Sequence, residues 1–148
     1  DKGRGVYVKK IYDLLNKKGL KLDFNLVTKE KNNYNEEIIS NFLSYDTILE
    51  RISESKSILE IVQKNQSGPT LRTLESLFFS KKLITNNKNL KNFDFYDENN
   101  IIIIDIENID KYIDEIISFL KKPYKKIDEN IINYYEFNNW LMRFFKED

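Results

Sequence analysis

The sequence predicts an α/β fold built on a parallel, doubly wound sheet. Short apolar segments at 58–62 and 83–85 have the length of strands, and helical or polar segments separate them. The isoleucines at 101–104 form a run that is apolar on both faces, as in a strand buried inside a parallel sheet. Strands that alternate with helices at this spacing are typical of right-handed βαβ units.

Helical spacing of apolar residues marks the elements around these strands. Apolar positions over 6–18 recur on one helical face, and Gly19 supplies a stop. Asp46 and Asp110 are the predicted N-caps of two further helices. The remaining expected elements are helices at 46–55, 69–78, 110–120 and 131–145, and strands at 22–28 and 38–43.

The predicted order of elements begins with a helix, whereas a βαβ unit begins with a strand. The glycine-rich turn Lys2-Gly3-Arg4-Gly5 leads directly into that helix. The 148 residues suit a single domain, long enough to bury roughly two-thirds of its unfolded surface. We therefore expect residues 1–148 to be one domain of a longer protein, whose opening strand precedes Asp1.

The composition excludes several classes of function. Lys and Arg total 24 and so do Asp and Glu, so no overall field favours nucleic acid or an anionic membrane. No apolar run approaches the roughly 20 residues that span a bilayer. The absence of Cys and His excludes disulfides, thiol nucleophiles, histidine-based triads and the usual zinc sites. Chemistry is left to carboxylates, hydroxyls, Lys, Arg and backbone amides.

Two segments are expected at the carboxyl ends of the strands, where ligands bind in open parallel sheets. The first is the basic turn at 2–5. The glycines, among them Gly3, let the backbone approach an anion, and Lys2 and Arg4 supply charge at the positive end of a helix. The same residues also fit a solvated terminus that binds nothing.

The second segment is the loop and helix start at 66–75. Ser67 or Gly68 is the predicted N-cap, and Thr70 adds a hydroxyl. Glu75 lies about one and a half turns into the helix, within reach of a pair of neighbouring ligand hydroxyls. An equally good interpretation is a capped amphipathic helix in which Arg72 and Glu75 form a surface ion pair.

A resemblance rests on three consecutive segments, which read SILEIV at 57–62, QSGPTLRTLE at 66–75 and KKLITNN at 81–87. The continuation at 93–101 and the basic turn at 1–4 also fit. Together they resemble the C-terminal half of bacterial glycosyltransferases of lipopolysaccharide and capsule synthesis. These enzymes have the GT-B architecture, in which two Rossmann-like domains face each other across a cleft.

The resemblance implies a donor site for a nucleotide-sugar. Glu75 would bind the ribose hydroxyls. The helix start would face the diphosphate, assisted by the basic turn, through Gly68, Thr70, Leu71, Lys2 and Arg4. The familiar GT-B motif has a second glutamate eight positions earlier, and here that position is Ser67. The sugar therefore stays unassigned.

The resemblance also sets the expected partners. These are the nucleotide-sugar, an N-terminal domain of the same protein and a saccharide acceptor. No catalytic residue is assigned, because the base of inverting GT-B enzymes comes from the N-terminal domain. No metal or other cofactor is expected, since the chain has no Asp-x-Asp pair. The implied location is cytoplasmic, with peripheral association at the inner face of the membrane left open.

Three alternatives stay open. The chain could be a non-catalytic, flavodoxin-like interaction module that uses the same edge for a protein partner. The acidic cluster of Asp105, Glu107 and Asp110 could hold a metal, although a helix cap at Asp110 is favoured. The aromatic residues are expected in the core rather than on a carbohydrate platform. They are Phe78, Phe79, Tyr112, Phe119, Tyr134, Tyr135, Phe137, Trp140, Phe144 and Phe145.

Overall fold

Three parallel strands form the central sheet. The computed structural model describes residues 3–28, 38–39 and 41–144. The strands are β1 (Ser57–Glu60), β2 (Lys82–Thr85) and β3 (Ile101–Ile103), in the spatial order β1-β2-β3. In the register, Ile58 pairs with Leu83, and Leu83 pairs with Ile101. The prediction of a parallel α/β sheet is confirmed for these strands.

Helices surround the sheet in the described residues. The α-helices are α1 (Gly5–Lys17), α2 (Tyr45–Glu54), α3 (Leu71–Phe78), α4 (Ile113–Lys121), α5 (Glu129–Tyr135) and α6 (Phe137–Phe144). Two 3₁₀ helices lie at Lys88–Asn92 and Ile106–Tyr112. No helix in this part of the chain is long and apolar enough to cross a bilayer.

The two faces of the sheet bury separate apolar clusters. Ile84 and Ile102 point to a face covered by α1 and α4, whereas Leu83 and Ile101 point to the face covered by α2, α3 and α5. Neighbouring residues of one strand reach opposite faces because side chains alternate along it. A strand covered on both sides therefore needs a continuous apolar sequence.

The predicted strand at 22–28 is not formed. One isolated parallel bridge joins Leu26 to Ile39, with Leu26 N donating to Ile38 O at 2.6 Å. Residues 41–43 are irregular, so the predicted strand at 38–43 is reduced to the same bridge. The apolar alternation that suggested a strand serves packing instead, since Phe24 lies against Tyr12 of α1 with ring centroids 5.5 Å apart.

The predicted caps were displaced by a few residues. Ser44, not Asp46, caps α2 by accepting a hydrogen bond from Thr47 N at 3.2 Å. Asp46 lies in the first turn, where its negative charge interacts favourably with the positive end of the helix dipole. Asp110 does not cap α4, because a 3₁₀ helix precedes α4 and Asp105 caps that helix. Apolar spacing locates a helix face but not its first residue.

The end of the described chain departs from the single helix predicted at 131–145. Glu136 has extended backbone angles and separates α5 from α6, and residue 145 lies outside the described residues. Phe119 is buried as expected. The expectation of core positions is wrong for four aromatic residues that each expose more than a third of their surface, namely Phe78, Phe79, Tyr134 and Phe137.

Candidate functional site at the carboxyl edge of the sheet

Two loops at the carboxyl edge are joined by side-chain amides. Asn86, just after β2, accepts a hydrogen bond from Val62 N at 2.7 Å and donates to Val62 O at 3.1 Å. Asn87 is buried and donates from Nδ2 to Gly68 O at 3.0 Å. These bonds hold the loop between β1 and α3 against the end of β2, so the start of α3 has a defined position.

Glu60 lies at the centre of this edge. It is the last residue of β1, and it is buried. Oε1 accepts hydrogen bonds from the hydroxyls of Thr70 and Thr73, the latter at 2.8 Å. Oε2 accepts one from the Thr85 hydroxyl at 2.6 Å. Glu60 was not among the predicted site residues, although a carboxylate inside an apolar strand indicates a buried polar partner.

Thr70 caps α3. Its hydroxyl oxygen accepts hydrogen bonds from Arg72 N at 3.1 Å and Thr73 N at 3.4 Å, while Thr70 N donates to Thr73 Oγ1 at 3.2 Å. The prediction that Ser67 or Gly68 would be the cap is therefore wrong. Thr70 takes this role because its extended backbone and short hydroxyl suit the N-cap, and the helix begins at the next residue.

Glu75 lies in the middle of α3 and is deeply buried, with 2% of its surface exposed. Arg72 Nη1 donates to Glu75 Oε2, which forms the predicted ion pair. The predicted surface location is wrong, because only the arginine is partly exposed. Glu75 Oε1 is buried and has no hydrogen-bond partner among the described residues. An unsatisfied buried acceptor costs about 1–3 kcal/mol, so a ligand that donates to Oε1 would recover that free energy.

Tyr45 lies beside this carboxylate. It is in the first turn of α2 and is half exposed. Burial raises the pKa of the Tyr45 phenol, and a hydrogen bond to the neighbouring Glu75 carboxylate, together with its charge, raises it further. The start of α2 therefore lies near Glu75 in the middle of α3, with a half-exposed phenol next to the buried carboxylate.

The basic turn reaches the same loop from α1. Arg4 Nη1 donates to Ile61 O at 3.0 Å. Arg4 also lines an open depression of about 380 Å³ with Gln63, Asn65 and Gln66. Gly3 adopts a left-handed conformation, φ +77°, that other residues rarely adopt. Lys2 lies outside the described residues.

The remaining predicted site residues lie at the surface of the same segment. Ser67 and Gly68 are exposed, and the Gly68 carbonyl is held by Asn87. Leu71, the first residue of α3, has 56% of its surface exposed. The structure thus brings the 67–75 residues together, with Arg4 tied to the loop that leads into them.

The acidic cluster after β3 is occupied by protein contacts. Asp105 accepts hydrogen bonds from Glu107 N at 3.1 Å and Asn108 Nδ2 at 2.8 Å, and the bond from Asn108 is the main cause of its lowered pKa. Asp110 forms an ion pair with Lys10 of α1, which lowers the pKa of Asp110. In the described ranges, no three acidic residues are grouped to hold a metal ion.

The arrangement as a whole offers one buried carboxylate oxygen, Glu75 Oε1, that accepts no hydrogen bond from the part of the chain that the structure describes. A guanidinium group and a phenol lie beside it. This chemistry favours a ligand that presents hydroxyl or amine hydrogens. No protein-family model, curated protein or solved structure matches this chain.

Proposed function

We propose that this chain is the nucleotide-sugar-binding domain of a glycosyltransferase in lipopolysaccharide or capsule synthesis. It would form the C-terminal, Rossmann-like half of a GT-B enzyme, whose N-terminal domain supplies the acceptor site and the catalytic base. The observation that carries the proposal is the buried Oε1 of Glu75, which has no hydrogen-bond partner among residues 3–28, 38–39 and 41–144 and lies on the helix that starts at the carboxyl edge of a parallel sheet.

A ribose diol suits this carboxylate. It has two adjacent hydroxyl donors, and a carboxylate accepts such pairs well. One hydroxyl would satisfy Oε1, and the second would share Oε2 with Arg72. Each hydrogen bond to a charged group contributes roughly 1.5–3 kcal/mol, so Glu75 would account for a large part of nucleoside affinity.

The diphosphate would lie towards the start of α3. The positive end of the helix dipole favours an anion there, and the exposed residues Gly68 and Leu71 leave the backbone accessible. Arg4 and Lys2 would add positive charge from the turn before α1. No metal is assigned to the diphosphate, since helix dipoles and basic side chains can carry this role.

Ligand-observed NMR of the chain with UDP, GDP, ADP and CMP tests the proposal. We expect weak binding of at least one of them at millimolar concentration, unchanged by EDTA. Glu75→Gln should weaken this binding about tenfold or more, by loss of a charged hydrogen-bond acceptor. Glu50→Gln removes the same charge from an exposed position on α2 and should leave affinity unchanged.

A second candidate is the protein-interaction module. It is favoured by Leu71 and by Phe42, which precedes α2 and has 90% of its surface exposed. Exposed apolar side chains of this kind occur at protein interfaces. A folded sample that binds none of the four nucleotides at millimolar concentration would favour this candidate over the glycosyltransferase.

A further inference from the structure

A continuous set of hydrogen bonds connects the ends of β1 and β2 with the first turn of α3. Glu60 accepts from the hydroxyls of Thr70, Thr73 and Thr85. Thr85 Oγ1 in turn accepts from Asn87 N at 3.1 Å. A carboxylate has only acceptor sites and a hydroxyl has one proton, so each of these three protons is directed inward at Glu60.

This direction has a consequence for Thr70. Its single proton goes to Glu60, and its oxygen accepts from the amides of Arg72 and Thr73. The hydroxyl therefore has no proton to give to a phosphate, and those two amides are already engaged. Thr70 was expected to face the ligand, but its hydrogen bonds belong to the protein.

We propose that Glu60 is a positioning residue that fixes the first turn of α3 through Thr70 and Thr73. In this role Glu60 affects the ligand site through the Thr70 cap, and Thr70 acts on the ligand only through the helix start. The part that concerns ligand affinity rests on the proposed function, whereas the part that concerns the helix start does not. The buried carboxylate suits this role because it accepts hydrogen bonds from three hydroxyls, two at the start of α3 and one in β2. Both of its oxygens are thereby satisfied.

Amide hydrogen exchange measured by NMR tests the helix start without any ligand. In Glu60→Leu, the Arg72 and Thr73 amides should exchange about fivefold faster or more, as expected for a lost N-cap. The reference is the amide of Leu83 in β2, which donates to Asn100 O at 2.8 Å. If Glu60→Leu does not fold, Thr85→Val removes a hydroxyl that holds Glu60 and leaves the Thr70 cap in place, and it should raise the same two exchange rates.

Two variants separate positioning from general destabilisation. Glu60→Gln keeps an oxygen for Thr70 and Thr73 and should restore most of the protection. Ser76→Ala removes a buried hydroxyl of the same helix that donates to Thr73 O at 2.7 Å and has no bond to Glu60. It should leave the exchange ratio to Leu83 unchanged. Unchanged Arg72 and Thr73 exchange in a folded Glu60→Leu variant, or in Thr85→Val where Glu60→Leu does not fold, would overturn the proposal.

The affinity of the best-bound of the four nucleotides gives the second readout. If Glu60 acts through the Thr70 cap, the losses in Glu60→Leu and Thr70→Val should not add, and the double variant should bind as weakly as either one. Additive losses would mean that Thr70 touches the ligand directly, which would overturn that part. If the wild-type chain binds none of the nucleotides, the proposed function fails, and the exchange ratios still decide the role of Glu60.

Discussion

Replacing Glu75 by methionine should stabilise the unliganded protein and abolish the nucleotide binding that we propose for it. Oε1 is a buried acceptor to which no described residue donates a hydrogen bond, and leaving such a group unsatisfied costs about 1–3 kcal/mol. The ion pair lost in exchange involves Arg72, whose side chain is 35% exposed, so the guanidinium returns to water at a cost of at most about 1 kcal/mol. Methionine has a similar length and a similar helix propensity.

The expected net effect is a free energy of unfolding roughly 1–2 kcal/mol higher in Glu75→Met, the difference of these two terms. Urea unfolding followed by far-UV circular dichroism measures it, with NMR titration of the same samples for binding. Arg72→Met is the matched control. It leaves the buried Glu75 carboxylate without its partner, so it should destabilise the protein by about 3 kcal/mol or more.

A free energy of unfolding of Glu75→Met more than about 1 kcal/mol below that of the wild type would contradict this prediction. It would mean that the carboxylate is a structural partner of Arg72 and that its second oxygen does not destabilise the folded protein. Unchanged nucleotide binding in the same variant would separately remove Glu75 from the ligand site. A stabilised variant that no longer binds is the pattern expected when stability has been sacrificed to function.

Three further predictions concern stability. Lys82 is buried, donates to Asn99 O, and has a pKa lowered first by burial and then by Lys122. The charged form of Lys82 is therefore disfavoured in the folded state. The free energy of unfolding of the wild type, relative to that of Lys82→Met, should rise as the pH increases towards the ordinary lysine pKa of 10.5. Urea titrations at pH 7 and 10 would measure this difference. The pKa of Asp97 is lowered by its hydrogen bond from Lys125, so its contribution to the free energy of unfolding is present above pH 3.8 and is lost as the pH falls below that value. In an acid titration, Asp97→Asn should lack this loss of stability. Ser44→Ala should lower the free energy of unfolding by about 1 kcal/mol through loss of the α2 cap, and a larger effect of Asp46→Ala would contradict the assigned cap.

Local patterns in the sequence predicted the elements that are strongly apolar and short-ranged. The three strands and α1 appear within a residue or two of their expected positions. The same reasoning failed for 22–28, where alternating apolar residues pack beside α1 without forming a ladder. Alternation records which residues are buried, but a strand also needs a neighbour with which to exchange backbone hydrogen bonds.

The sequence also predicted the pairing of Arg72 with Glu75, because residues three apart share a helical face. It did not predict that this face is turned inward. The burial of Glu75 depends on α2 lying beside α3, and the two helices are separated along the chain by β1.

The fold class and the range of chemistry open to this protein can both be derived from its amino-acid sequence alone. A continuous apolar strand, helical periodicity on either side and the absence of Cys and His are properties of the chain alone, and they set an α/β fold with a restricted chemistry. Only the tertiary structure decided what Glu60 and Glu75 do. Both oxygens of Glu60 accept hydrogen bonds from hydroxyls of β2, of α3 and of its N-cap, whereas one buried oxygen of Glu75 has no partner within the described ranges. The physical reason is that hydrogen-bond satisfaction depends on donors distant in sequence, which are brought together only when the sheet and helices pack.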